Sequence, residues 1–378
     1  MVPAMQGPQT SGTHQEFPCQ QCGAKLEFAP GSTNLQCPYC GTTQAIAAPA
    51  DPGMAAAPAV VAERSFEEAL RNLRQQPVSA LAENGKEIEC NGCGAITMVT
   101  AQATSCPFCD SPVVMPVEQD KFTIVPESVL PFKIDQRSSA TKFKEWVASR
   151  WFAPSDLAAK ARHARIDGVY LPYFTYDSDT STQYRGQRGD YYYETESYTD
   201  SEGNTQTREV RKTRWSSRSG QVFVHFDDLL ICGSKSLPTK LIEGLEPWDL
   251  HELTPFDPRY LSGFMAERAV IGLEEGFEAA KAKMIPEIQS EIRQDIGGDT
   301  QQIDSYSVGH YNITFKLFLL PLWISSFRYD DKVYRFVVNA RTGEVSGERP
   351  YSKLKIAMAI LGAIVAIVTI VLLVRYFQ

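Results

Sequence analysis

The sequence predicts an α+β protein: two small cysteine units, then a body of antiparallel β-hairpins and helices, then one membrane-spanning helix at the C-terminus. Three observations predict it. Eight of the nine cysteines fall into four C-x-x-C pairs. From Phe122 to Pro350, strand-like and helix-like patterns alternate. The stretch 356–374 carries no charge at all. A chain of 378 residues is too long for one ordinary core and divides into several folding units.

The composition sets the divisions. Residues 1–15 are polar and rich in Gly, Pro and Gln, a composition expected to be disordered. Residues 16–46 form a first cysteine unit. Residues 47–86 hold an Ala/Pro linker and a short helix to about Gln76, which Ser65 caps and Glu68 completes as a capping box. Residues 87–116 form a second cysteine unit, 117–355 the body and 356–374 the span.

The two cysteine units repeat one another. FPCQQCGAKLEF and CPYCGTTQAI in the first correspond to IECNGCGAITMV and CPFCDSPVVM in the second. Fourteen residues separate Cys19/Cys22 from Cys37/Cys40, and twelve separate Cys90/Cys93 from Cys106/Cys109. A C-x-x-C turn aims two thiolates at one ion, and a second such turn completes a tetrahedron. Gly23, Gly41 and Gly94 follow three of the turns, where a positive φ lets backbone N–H groups face sulfur. No His or carboxylate replaces a cysteine, so each site is closed and structural. The pattern predicts two structural Zn²⁺ ions, with iron in a four-thiolate cage left open by spacing alone. A thioredoxin-like redox pair is disfavoured, because it needs one C-x-x-C in a βαβ context. Units this small have almost no core, so the metal is expected to hold them together.

Charge bears on partners. The net charge is −8. Lys25 stands against Glu16 and Glu27 around the first unit, and Lys86 against Glu87, Glu89 and Asp110 around the second. Neither carries the cationic cluster that phosphate binding needs, which favours a protein partner over nucleic acid.

The body reads element by element. SATKFKEWVASRWF begins a helix at Ser138 or Ser139, with Phe143, Trp146, Val147 and Trp151 on its core side. Ser155-Asp156 starts a short helix to about Ala164. GVYLPYFTYD (168–177) is a buried strand. Tyr184–Tyr198 and Thr205–Phe226 form a long hairpin about the turn 201–204. Glu194 and Glu196 on one arm are expected to face Arg208, Arg211, Lys212 and Arg214 on the other, rather than those cations serving nucleic acid. Glu274–Ile296 is a long helix that Pro286 is expected to kink. Two or three antiparallel strands close the body, with a turn at Ala340–Gly343 in which Gly343 takes a positive φ. Leu130-Pro131, Leu171-Pro172 and Leu320-Pro321 each open an aromatic strand, an echo suggesting a helix-then-hairpin duplication with the prolines at strand starts or edges.

Catalytic patterns are lacking: there is no phosphate-binding glycine loop, dinucleotide fingerprint, HExxH helix or nucleophile elbow. His225 with Asp227 and Asp228 is the one suggestive group, and a solvated role fits it best. Cys232 reads as an ordinary half-buried thiol. No catalytic residue and no cofactor-binding residue beyond the eight cysteines is assigned.

The run 356–374 spans about 28 Å as a helix, close to the hydrocarbon thickness. Lys353 and Lys355 precede it and only Arg375 follows, which places the N-terminal part in the cytoplasm. The need for reduced thiols, and a start without a signal-peptide pattern, point the same way. Ala359, Gly362, Ala363 and Ala366 have the spacing of helix pairing, a hint of a homo-oligomer.

With CPYCG, CPFCD, the LPLWISSFRYDDKVYRFVVNARTGEVSGERP segment and the terminal helix assembled, the chain resembles a bacterial family of double zinc-ribbon membrane proteins. Members are often labelled transcription-factor-IIB-type zinc ribbon proteins, or primosomal protein N′, superfamily II helicase. The sequence has no nucleotide-binding loop to support the helicase label. The resemblance implies a membrane adaptor, with phage-shock-protein-A-like or SPFH-like partners in envelope stress. The expectation is therefore a single-pass protein of the inner membrane that recruits a protein partner. The alternatives are a nucleic-acid-binding accessory protein and an enzyme whose site lies undetected in the body.

Overall fold

A computed structural model describes residues 17–46, 62–73, 86–90, 95–99, 106, 108, 114–116, 126–157, 166–199, 201, 203–330 and 332–377. The expected disordered start, most of the linker, Cys93, Cys109 and most of the short helix after Ser155 lie outside these residues.

In the first cysteine unit, β1 (Glu27–Phe28), β2 (Asn34–Gln36) and β3 (Thr43–Ala45) form a three-stranded antiparallel sheet. β4 (Arg64–Ser65) leads into α1 (Phe66–Leu73), where the Glu68 N–H reaches the Ser65 hydroxyl at 3.4 Å, as its cap position predicts. The second unit supplies β5 (Lys86–Cys90), β6 (Ile96–Val99) and β7 (Val114–Pro116). β8 (Ser128–Val129) and α2 (Gln136–Ala148) follow.

Two very long strands dominate the body. β9 (Asp167–Thr199) pairs antiparallel with β10 (Thr205–Cys232) as one long hairpin. Helix α3 (Thr239–Glu243), β11 (Thr254–Pro255) and β12 (Met265–Glu267) lead to α4 (Leu273–Ile296). β13 (Thr300–Tyr329), β14 (Lys332–Asn339) and β15 (Val345–Gly347) end the body, and α5 (Lys353–Phe377) ends the chain. The buried strand and the hairpin arm expected separately are one strand, β9. It pairs antiparallel with β10 on one edge and, from Gly189 to Asp167, with β13 on the other. The fold is thus mixed α and β, built mainly on antiparallel sheet.

Sequence pattern explains which faces are covered. Leu273, Phe277, Ala280, Met284, Ile288, Ile292 and Ile296 make one buried stripe along α4, and the helix runs unbroken through Pro286. On β9, Thr180, Thr182 and Tyr184 are buried while Gln183 and Arg185 are exposed, the period of a half-covered strand. Tyr184 donates to Asp295 of α4, and Tyr176 donates to the Leu273 carbonyl at 2.9 Å. Nearer the start of β9, residues 169–178 are buried on both faces, and the sequence there is unbroken apolar and aromatic from Val169 to Phe174.

The Leu-Pro echo has a structural counterpart. Leu320 stands opposite Leu171, with Pro321 opposite Tyr170 and Pro172 opposite Leu319. β8 runs parallel to β13 beside them, and Leu130 donates to the Leu319 carbonyl at 2.9 Å. Contrary to expectation, Pro172 and Pro321 lie inside long, paired strands. β10 stops at Cys232, opposite Tyr173, and Gly233 donates to the Pro172 carbonyl at 2.8 Å. β14 stops at Asn339, opposite Leu322, and Ala340 donates to the Pro321 carbonyl at 3.2 Å. Each proline nitrogen faces the point where its neighbour's ladder ends, so no ladder hydrogen bond is lost.

Helix α2 departs from expectation at both ends. Asp135, not Ser138 or Ser139, caps it, accepting from the Ser138 N–H at 2.6 Å. The helix ends at Ala148, so Trp151 leaves the core side that buries Phe143 and Val147, and is 77% exposed.

Candidate metal centre

Cys19, Cys22, Cys37 and Cys40 converge, with their sulfur atoms all within 4.8 Å of one another. Cys19 to Cys40 and Cys22 to Cys37 are each 3.5 Å. Four sulfurs at the usual zinc–sulfur distance in a tetrahedron stand about 3.8 Å apart. The residues therefore fit one tetrahedral ion.

Both turns are built alike. Cys19 donates to the Ala24 carbonyl at 2.7 Å and Gly23 to the Cys19 carbonyl at 2.8 Å. Cys37 donates to Thr42 at 2.8 Å and Gly41 to Cys37 at 3.0 Å. Gly23 and Gly41 both have φ of 75°. The backbone N–H groups of Cys22 and Gln21 face the Cys19 sulfur and lower its pKa. The Thr42 hydroxyl and N–H push Cys40 down to about 6. Cys22 goes the other way: the Ala24 N–H favours its thiolate, but the crowding sulfurs of Cys37 and Cys40 prevail and push it up to about 12. Backbone donors thus prepare thiolates whose mutual repulsion a cation relieves.

The first unit is not displayed apart from the body. Buried Cys19, Cys37, Leu26, Phe28 and Leu35 share one apolar cluster with Phe132, Tyr170 and Trp323. Phe28 donates to the Ser262 carbonyl at 2.9 Å, and the Ser262 hydroxyl donates to Leu26 at 2.6 Å. Gly31 donates to Phe132 at 2.9 Å.

In the second unit, Cys90 and Cys106 are buried in the same cluster as Phe108, while Cys93 and Cys109 lie outside the described residues. Cys90 donates to the Ala95 carbonyl at 2.9 Å, the same backbone bond to the fifth residue on that Cys19 and Cys37 make. β6 pairs with β12 of the body, Ala266 opposite Met98, and Arg335 donates to the Phe108 carbonyl at 2.7 Å. Beneath lies Glu267, 3% exposed, which accepts from Ser234 at 2.8 Å and from Ser236. Burial pushes Glu267 up to about 7.

Other expected residues fall elsewhere. His225 meets Asp179, at 2.8 Å, rather than Asp227 or Asp228, and is exposed. Asp227 joins Glu63 and Asp177 in a carboxylate group that sequence reading missed, beside Lys316, which is 2.8 Å from Asp228 and 3.2 Å from Glu63. Two bulges create it, at 226–229 and 311–314, with Asp228 and Asn312 at φ of 51° and 50°. Burial raises the Asp177 carboxyl. Cys232 is half-buried, and burial pushes its thiol up to about 12. On the hairpin arms, Lys212 lies 2.6 Å from Glu194 and 3.1 Å from Glu196, the cross-strand pairing expected. Arg208, Arg211 and Arg214 lie over the rings of Tyr198, Tyr191 and Tyr192.

Helix α5 is 25 residues long, uncharged from Ile356 to Val374, and has no side chain buried against the body. It is long and apolar enough to cross a membrane.

No family model matches the chain, and no solved structure matches it. An uncharacterized protein of Bacillus subtilis (strain 168), YdjG, is similar to it, 26% identical over 243 residues. That similarity takes in 62% of this chain and 66% of the relative, so the chain spans just under two thirds of the length of the curated protein it matches.

Proposed function

We propose that the protein is a membrane-anchored zinc-ribbon adaptor, holding a protein partner at the cytoplasmic face of the inner membrane. The observation that carries this reading is α5: an apolar helix with no buried side chain, joined directly to a large body. Such a helix finds its cover in lipid, and the body then works at the bilayer, where anchoring raises the local concentration of whatever it binds. Each cysteine unit takes one structural zinc ion in this reading, the second through Cys90, Cys93, Cys106 and Cys109. The ion would be a closed cross-link and would leave no open position for substrate.

The arginine-rich strand supports a protein partner over nucleic acid. Its cations are engaged with Glu194, Glu196 and tyrosine rings of the same hairpin. The family resemblance supplies the partner class, phage-shock-protein-A-like or SPFH-like proteins. The test is co-sedimentation of a purified phage-shock-protein-A-like protein with vesicles carrying the full chain. Capture above that of bare vesicles supports the reading. Capture no better than bare vesicles, or steeply salt-dependent binding of duplex DNA instead, overturns it.

A further inference from the structure

We infer that the loop Trp151-Phe152, with Tyr351 and Leu354, forms a second membrane contact that lies at the headgroup level of the bilayer α5 enters. The inference rests on the reading of α5 as a membrane span.

Trp151 is 77% exposed, Leu354 70% and Tyr351 60%. Indole and phenol rings on show to water are costly unless something covers them, and interfacial lipid suits rings that are apolar with one polar handle. Their place in the fold says what covers them. The Ser352 N–H donates to the Phe152 carbonyl at 2.8 Å, and the Lys355 ammonium donates to the Ala153 carbonyl at 2.8 Å. These two bonds clip the loop to the first turn of α5, where the apolar run starts. A span of about 25 residues leaves its first turn at the interface. The Trp151 and Phe152 rings stack on one another at 5.7 Å, so they form one apolar knob.

Charge agrees with this placement. Lys353 and Lys355 stand on the first turn of α5, and Arg349 lies over the Tyr351 ring at 5.2 Å. Arg150 is folded back over Trp146 at 4.8 Å and does not cap the knob. Asp156, further along the same loop, accepts from the Tyr329 hydroxyl at 2.9 Å. The body would thus be held to the membrane at two points, a span and a knob, which fixes its tilt.

The test uses the full chain in phosphatidylcholine vesicles whose acyl chains carry bromine, a contact quencher of indole. Wild type and Trp151→Phe are compared, so that their difference isolates Trp151 from the four other tryptophans. The expected result is a Trp151 signal that is blue-shifted and quenched, more by bromine near the ester end of the chain than near its middle. Alkaline carbonate extraction is run on the same vesicles. Retention of the protein with an unquenched Trp151 overturns this inference alone. Release of the protein overturns the span reading and the inference with it. Trp151 is exposed, so its replacement leaves the fold intact and the comparison interpretable.

Discussion

At Gly276 a missing methyl group lets α4 lie down on the sheet. A β-carbon there would collide with the Tyr176 hydroxyl, the group that donates to Leu273. Gly276→Ala should therefore lower the thermal midpoint of the detergent-solubilised protein, at a cost of about 1–3 kcal/mol for overpacking. His225 makes a different residue-scale prediction. Its bond to Asp179 raises its pKa above the ordinary histidine value. The pair's contribution is then fully present below about pH 6.5 and is lost as pH rises through the raised folded value. Proton NMR should show the His225 imidazole titrating above the ordinary range, and Asp179→Asn should bring it back. Because the ring is exposed, stability itself should hardly change. At the cysteines, Cys19→Ser with Cys22→Ser should remove one metal equivalent by elemental analysis. Zinc and iron are told apart in the same measurement.

At the scale of elements, α4 lies along β9, β10 and β13 and buries one whole stripe against them. Met284 and Ile288 are completely buried between its two ends. Met284→Ala should cost about 2–5 kcal/mol, read as a fall in the denaturation midpoint with the span still in the membrane. Local patterns were legible here: the helix α4, the long hairpin of β9 and β10, the turn at Gly343 and the C-x-x-C turns of the first cysteine unit all close over short sequence distances. What local pattern does not carry is who meets whom. Ser262 holds the first cysteine unit from 236 positions away. Glu63, Asp177 and Asp227 meet only because two bulges shift the register on either side of β9. Trp151 keeps helical spacing in the sequence, yet the Ser149 cap ends α2 first and turns it to the outside. The prolines deceived for a similar reason, since their tolerance depends on where a neighbouring strand stops.

For the whole molecule, removing 356–378 should release the body from membranes while leaving its metal content unchanged, measured by fractionation and elemental analysis. Protease added to inverted inner-membrane vesicles should digest the body, and protease added to intact spheroplasts should spare it. The long central strand then acquires a meaning beyond packing. β9 begins opposite Ile324, at the end of the sheet that carries the β13–β14 turn, and Tyr329 at that turn bonds to Asp156 close to the start of α5. It runs for 33 residues, and its last ten pair with β10 alone, since β13 begins opposite Gly189. At about 3.3 Å per residue its contour is about 110 Å. On the membrane-anchored reading proposed above, the two-stranded ribbon at its far end sets a working radius for whatever grips the Tyr191–Arg214 surface, up to that contour length from the anchor.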